Sequence, residues 1–407
     1  MNEKIALYSQ VREIINTVID CGDQSLFDYA VKFDKVALER LKVTKEELKS
    51  SFESCDMEIL NALRVTERNI RTFAQLQLPK EPIVWKDKSK TITLKQTPIE
   101  RVGVYVPGGL AAYPSSVLMN VIPAQVAGVK EIALFTPPTS NLEQKKLILS
   151  CAELLGIDEI YFIGGVQAIA ACAYGTETIR KVDLITGPGN KYVTEAKKQV
   201  FGDVGIDMLA GPSELMVVAD ETSNPSYVAS DLLAQAEHDP NAVLHLILIA
   251  SDGKRIKSAI GDQLLIDNNS CAAISMDNLT ITNCESLAEA IELANRLAPE
   301  HLSIQISLKK DELARFSNAG SIFYGSQSPE AIGDYASGSN HILPTSGTAR
   351  FSSCFGVHTF LKGSQVIHYH EYSEKDYQAS MILAECERLP YHKKSLEIRG
   401  RCYEIER

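Results

Sequence analysis

Four of the eight histidines stand out: His238 with Gln235 in AQAEHDP, His301 in APEHL and His341 in GDYASGSNH, each beside a carboxylate or carboxamide, and His392 in LPYHKK, five residues after Glu387. No pair of cysteines accompanies any of them. Imidazole nitrogens combined with such oxygens are the donor set of a nitrogen/oxygen metal centre, and an imidazole next to a carboxylate is suited to moving protons near neutral pH. His245, within the apolar run AVLHLILIA, reads instead as packing, and His358, His368 and His370 as packing or surface residues.

Taken singly, each of these positions has a plainer reading. Gln235 and His238 are three apart in a helical pattern, which puts both on one face, as in a shared ligand site or an ordinary polar helix face. Asp334 and His341 flank a Gly/Ser-rich loop in which turn formers are common. Glu300 and His301 follow Pro299 at the end of a helical run, where the carboxylate could orient the imidazole or activate water, or the pair could simply cap the helix. His392 follows a proline in a charged tail, as a solvated histidine also would.

These residues are carried by a chain that alternates strand and helix. Residues 1 to about 80 repeat apolar positions at helical spacing in VREIINTVI, SLFDYAVKFD and EILNALRVTERNIRTFAQLQ. Extended runs in TITLKQTPIERVGVYVPGG then end at Pro107, Gly108 and Gly109. From there EIALFTPP, EIYFIGG and VDLITGPGN read as strands separated by helices, and a second series starts at ELMVVAD and continues through AVLHLILIA, LTITN, LSIQI and SIFYG. Continuous apolar strands with intervening helices predict parallel sheets covered on both faces, so the expected class is α/β, with two Rossmann-like parallel-sheet domains and helical accessory segments at both termini. The cleft between the domains is the expected site, at the strand C-termini, where VYVPGGL, FIGGVQ and TGPGNKY form glycine turns that could receive phosphate oxygens or serve as tight βα turns alone. No G-x-G-x-x-G is present.

Composition narrows the function classes. The 407 residues predict more than one domain, and 52 acidic against 41 basic side chains, a net charge of −11 with no basic block, argue against nucleic acid and anionic membranes as partners. The N-terminus lacks a signal-peptide apolar core, and no segment approaches the roughly 18 consecutive apolar residues of a membrane span. Nine scattered cysteines without C-x-x-C spacing read as reduced thiols, so a cytoplasmic protein is expected.

The strings RVGVYVPGG, YPSSVLMNVIPAQVAGV, FIGGVQAIAACAYGT, GPGNKYVTEAKKQV, IDMLAGPSE, LLAQAEHDP, APEHL and GDYASGSNHILPTSGTAR, taken in order over nearly the whole chain, resemble the histidinol dehydrogenase family. The resemblance implies a zinc- and NAD-dependent oxidation of L-histidinol to L-histidine through histidinaldehyde, the last step of histidine biosynthesis. It implies metal ligands at Gln235, His238, Asp334 and His392, a general base at His301 and a water-activating Glu300. Substrate contacts carry over to Ser213, His341 and Glu387 beside the metal ligands and Glu300, and NAD contacts to Tyr105, Gln167 and Asn190. It further implies a homodimer with shared active sites. The expected organisation is then a helical accessory region over 1–100, an NAD-side α/β domain over 101–210, a metal- and substrate-side α/β domain over 211–365, and a tail over 366–407 serving the partner's site. The N-terminus is short for the family. Relatives acting on other small alcohols, a zinc hydrolase that polarises water directly, and an aldehyde dehydrogenase with Cys354 as nucleophile are the alternatives.

Overall fold

Apolar runs bounded by glycine, proline or asparagine become the strands of a computed structural model that describes residues 2–108, 112–267 and 270–405, so Gly109 lies outside the described residues. In chain order the strands are β1 (Ile83–Lys86), β2 (Lys90–Pro98), β3 (Arg101–Tyr105), β4 (Glu131–Thr136), β5 (Ile160–Phe162), β6 (Leu184–Thr186), β7 (Gly205–Ile206), β8 (Glu214–Ala219), β9 (Val243–Ile249), β10 (Leu279–Cys284), β11 (His301–Ile304), β12 (Ser321–Tyr324) and β13 (Leu361–Tyr369). Two five-stranded sheets have the orders β5-β4-β3-β6-β7 and β10-β9-β8-β11-β12, with every pairing parallel. The same order therefore occurs twice. In each sheet the chain reverses direction across the sheet after its third strand, which makes a switch point between β3 and β6 and another between β8 and β11.

Helices cover the sheets as the apolar strands require. β3 is buried along its whole length, and the face of its sheet is closed by helix Gly165–Tyr174 and by the N-terminal helix Asn2–Tyr29, whose Val11, Ile14, Ile15 and Val18 join the same core at helical spacing. Each such side chain contributes about 1.5–3 kcal/mol on burial. The N-terminal helix kinks at Gly22 (φ 52°), where a Cβ would meet the Glu177 carboxylate at 2.2 Å. On the second sheet, helices Pro225–Ala236 and Lys254–Asp267 pack with Leu215, Val217 and Leu246, while helix Leu287–Leu297 packs with Met216, Val218 and Ile304.

Contacts divide the chain into two units: Met1–Leu78 with Ile99–Phe360, and Pro79–Pro98 with Leu361–Arg407. The four consecutive segments read from sequence cut across these units. Both parallel sheets fall in the first unit, and the second is made when β13 pairs antiparallel with β2, Val366 opposite Thr93, with β1 on the other edge of β2. Helices Glu374–Cys386 and Pro390–Ile405 complete the second unit.

Candidate active site

Ala298 adopts a left-handed conformation (φ 51°) after helix Leu287–Leu297, and the chain turns through Pro299 and Glu300 so that His301 becomes the first residue of β11. The pair stands where the sequence reading placed it, between the end of a helical run and the strand LSIQI, and His301 is already the first residue of that strand. Parallel pairing sets it beside Leu215 at the start of β8. Glu300 and Glu214 then lock the two strand starts together, because Glu214 N donates to Glu300 Oε2 (2.9 Å) and Glu300 N donates to Glu214 Oε2 (3.3 Å).

The His301 ring lies 3.2 Å through Nδ1 from the Glu214 carbonyl oxygen. A carbonyl only accepts, so Nδ1 carries the proton and Nε2 keeps its lone pair. The side chain is 5% exposed, and burial pushes its pKa down to about 4. The ring is therefore neutral at physiological pH, as a general base must be. Glu300 Oε2 lies 3.7 Å from Nδ1, and burial raises the Glu300 carboxyl well above the ordinary carboxylate range.

Asp334 stands between two further imidazoles: its Oδ2 is 3.4 Å from His238 Nε2 and its Oδ1 is 3.6 Å from His341 Nδ1. Burial works to raise the Asp334 pKa, but the bond to His238 and the neighbouring rings outweigh it and keep the group below its ordinary value. The Asp334 bond raises the pKa of His238 in turn, while burial lowers that of His341, whose Nε2 is 3.2 Å from Ser116 Oγ. Gln235, 1% exposed, aims a buried Oε1 that has no partner. Helix Pro225–Ala236 ends before His238, so Gln235 and His238 do not share a helix face as expected. Instead His238 N donates to the Gln235 carbonyl in a turn (3.3 Å).

Glu330 was not singled out from sequence. It is 1% exposed, both carboxylate oxygens lack hydrogen-bond partners, Oε1 is 3.8 Å from His301 Nε2, and burial pushes its pKa up to about 8. One ligand atom each from His301, Glu330 and Asp334 lie within 4.8 Å of one another. The sequence signal was the four-residue spacing of Glu330 and Asp334 in one loop. Its amide is held by Asp231, a buried carboxylate that also accepts from Ser303 Oγ (3.2 Å) and Gln305 Nε2 (3.3 Å).

Gln235, His238, Glu300, His301, Glu330, Asp334 and His341, together with Ser213, line a cavity of about 510 Å³. A second cavity, of about 640 Å³, lies at the C-terminal ends of the first sheet and is lined by Tyr105, Gln167 and Asn190. Pro107, Gly108, Ala112 and Asn190 line both cavities, so the two share a wall. The first sheet thus meets the site at its strand C-termini, as expected. The second sheet presents the opposite edge, since Glu214 and His301 begin their strands. Asn190 caps helix Lys191–Val200 by accepting from Tyr192 N and Val193 N. Ahead of it Gly187 (φ 111°) is held by Asp207 and Lys197, and a Cβ there would meet Tyr105 O at 1.9 Å.

Glu387 and His392 are exposed residues of the second unit, Glu387 at the end of helix Glu374–Cys386 and His392 within helix Pro390–Ile405. Cys354 is exposed, and among the described residues lining the two cavities there is no cysteine. A thiol nucleophile therefore has no support in the site.

The model of the family described as histidinol dehydrogenase matches residues 1–400. The chain is 43% identical over 403 residues to a histidinol dehydrogenase of Clostridium acetobutylicum, covering 98% of this chain and 93% of that protein. It is 46% identical over 408 residues to one from Streptococcus mutans, covering 98% and 94%. A crystal structure of histidinol dehydrogenase from Elizabethkingia anophelis superposes with a TM-score of 0.93 at 36% identity, covering 98% of this chain and 93% of that one.

Proposed function

Because the chain belongs to the histidinol dehydrogenase family of NAD-dependent oxidoreductases, we propose that it oxidises L-histidinol to L-histidine through L-histidinaldehyde, the closing step of histidine biosynthesis, with zinc in the smaller cavity and NAD in the larger. The observation that carries this reading is the neutral, buried His301 beside the buried Glu300, in a cavity that shares its wall with one of a size suited to a dinucleotide.

In the first half-reaction the alcohol proton goes to His301 Nε2 while hydride leaves the same carbon for the nicotinamide. An aldehyde has no hydroxyl proton to give up, so the second half-reaction needs a hydrate. Glu300, whose raised pKa makes it a stronger base than an ordinary carboxylate, takes the proton of the water that adds to the carbonyl. Loss of a second hydride leaves the carboxylate. The sum is one alcohol, one water and two NAD⁺ giving one carboxylate, two NADH and three protons.

The orphaned Gln235 oxygen and the converging His238 and Asp334 fit a zinc ion, with His392 of a partner subunit as the further ligand. Such an ion, when bound, orients the imidazole and amino nitrogens of the substrate. Ser213, His341 and Glu387 complete the substrate contacts, and Tyr105, Gln167 and Asn190 line the NAD side. A homodimer with shared sites is supported by the apolar residues that the second unit exposes, among them Trp85, Val366, Ile367, Ile382 and Leu383. No helix among the described residues is long and apolar enough to cross a membrane. A cytoplasmic location belongs to the same reading and is supported by the buried free thiols Cys55, Cys151 and Cys172.

The test is NADH formation from L-histidinol and NAD, before and after chelation and with zinc restored. Two NADH per histidine, lost on chelation and recovered with zinc, is the expected result. No NADH formation from L-histidinol by the zinc-loaded protein would overturn it.

A further inference from the structure

The protein leaves one carboxylate oxygen of Asp34 unsatisfied. Asp34 is the last residue of the short helical segment Ala30–Asp34, whose end is fixed by Lys35 (φ 60°) and the bond from Lys35 N to the Ala30 carbonyl. It lines the larger cavity, yet its Oδ2 is buried without a hydrogen-bond partner, and burial pushes the group up to about 6. Natural structures rarely leave such a group bare unless something absent supplies the donors.

The charge inventory of the cavity limits what that donor can be. Among its described lining residues Asp34 is the sole acidic one, and there is no lysine or arginine. Lys32 holds its ammonium 5.2 Å from the centre of the Phe33 ring and is not among the lining residues. A carboxylate disfavours a neighbouring phosphate, so it must meet a neutral group that donates hydrogen bonds. Vicinal ribose hydroxyls offer two adjacent donors to the two carboxylate oxygens.

Position selects which ribose. The wall shared with the catalytic cavity, at Pro107, Gly108, Ala112 and Asn190, marks the nicotinamide end, because hydride must pass there. Asp34 and its neighbour Phe33 line the larger cavity alone. Phe33 is 43% exposed and stacks on Tyr29 (5.3 Å between ring centres), which leaves its ring available to a base.

We propose that Asp34 receives the 2′- and 3′-hydroxyls of the adenosine ribose and so sets the preference for NAD over NADP, an inference that rests on reading the larger cavity as the dinucleotide site. A 2′-phosphate removes one of the two donors and sets a dianion against a carboxylate with no cation from the cavity wall to offset it.

The test is calorimetric binding of NAD⁺ and NADP⁺, without substrate, to the full-length protein and to Asp34→Ser and Asp34→Asn, with kcat/KM for both cofactors alongside. The wild type should bind NAD⁺ at least about 100-fold more tightly than NADP⁺. Asp34→Ser should lose about 10- to 100-fold in NAD⁺ affinity, in line with hydrogen bonds to a charged group, without weakening NADP⁺. Asp34→Asn, which keeps the shape and one acceptor, should recover part of the NAD⁺ affinity but little of the discrimination. It also serves if the serine variant fails to fold. A cofactor ratio unchanged in the variants, including equal weakening of both, overturns the proposal while leaving the dinucleotide site standing. A wild type that binds neither cofactor overturns the cavity reading and the proposal with it.

Discussion

His301 can act as a base because three local facts coincide: the Glu214 carbonyl fixes the proton on Nδ1, burial keeps the ring neutral, and Nε2 is left with its lone pair. Replacing it with asparagine should lower turnover by about 10²- to 10⁴-fold, the usual loss for a general base, while zinc content by elemental analysis and histidinol affinity change little. Turnover like that of the wild type would remove His301 from the chemistry. Glu300→Gln should slow aldehyde oxidation more than alcohol oxidation, because water is consumed only in the former. Assays started separately from histidinol and histidinaldehyde compare the two, and equal losses would make Glu300 an orienting group. Adjacency in sequence made this pair visible. Glu330 was hidden because its contact with His301 spans 29 residues and depends on burial.

At the scale of elements, strand starts and helix caps put these groups in place. Helix Lys45–Glu53 begins with a capping box in which Thr44 Oγ1 accepts from Glu47 N and Glu47 Oε2 accepts from Thr44 N, and Lys145 reaches Glu47 from helix Leu142–Leu154. Burial acts to raise the Glu47 pKa, but the Thr44 amide, Arg40 and Lys145 outweigh it and hold it down to about 2. A folded pKa below the unfolded one stabilises the protein fully above the ordinary carboxylate value, and that contribution is lost as pH falls from about 4.5 to about 2. Because the Glu47 side chain is 27% exposed, solvent screening reduces the effect to roughly 1–2 kcal/mol. Glu47→Gln should therefore be less stable than wild type by that amount at pH 6, with the gap narrowing below pH 4, as read from urea midpoints. A gap that stayed constant with pH would mean the carboxylate charge is immaterial.

At the scale of the whole molecule, the proposed shared site makes activity a property of the dimer. If His392 serves the partner, co-refolded His238→Ala and His392→Ala subunits should regain roughly a quarter of wild-type activity, because random pairing makes half the dimers mixed and each mixed dimer has one intact site. Both homodimers should be inactive. With subunit exchange shown independently, a mixture that stays inactive would assign His392 to its own subunit.

The sequence by itself determined what local chemistry and periodicity can encode: the α/β class, the covered parallel strands, the pairing of His301 with Glu300, and the ordered motifs that carry the family resemblance. Apolar continuity and helix-breaking residues act within a few positions of each other, so they are legible along the chain. Only the tertiary structure decided that the second sheet meets the site through its strand starts, that His238 leaves the helix of Gln235, that Glu330 joins the cluster, and that β2 pairs with β13 across more than 260 residues. Each of these depends on which distant segments exclude water from one another. Burial of that kind moves the Glu330 carboxyl up to about 8 and leaves Asp34 Oδ2 without a hydrogen-bond partner, and no local pattern records it.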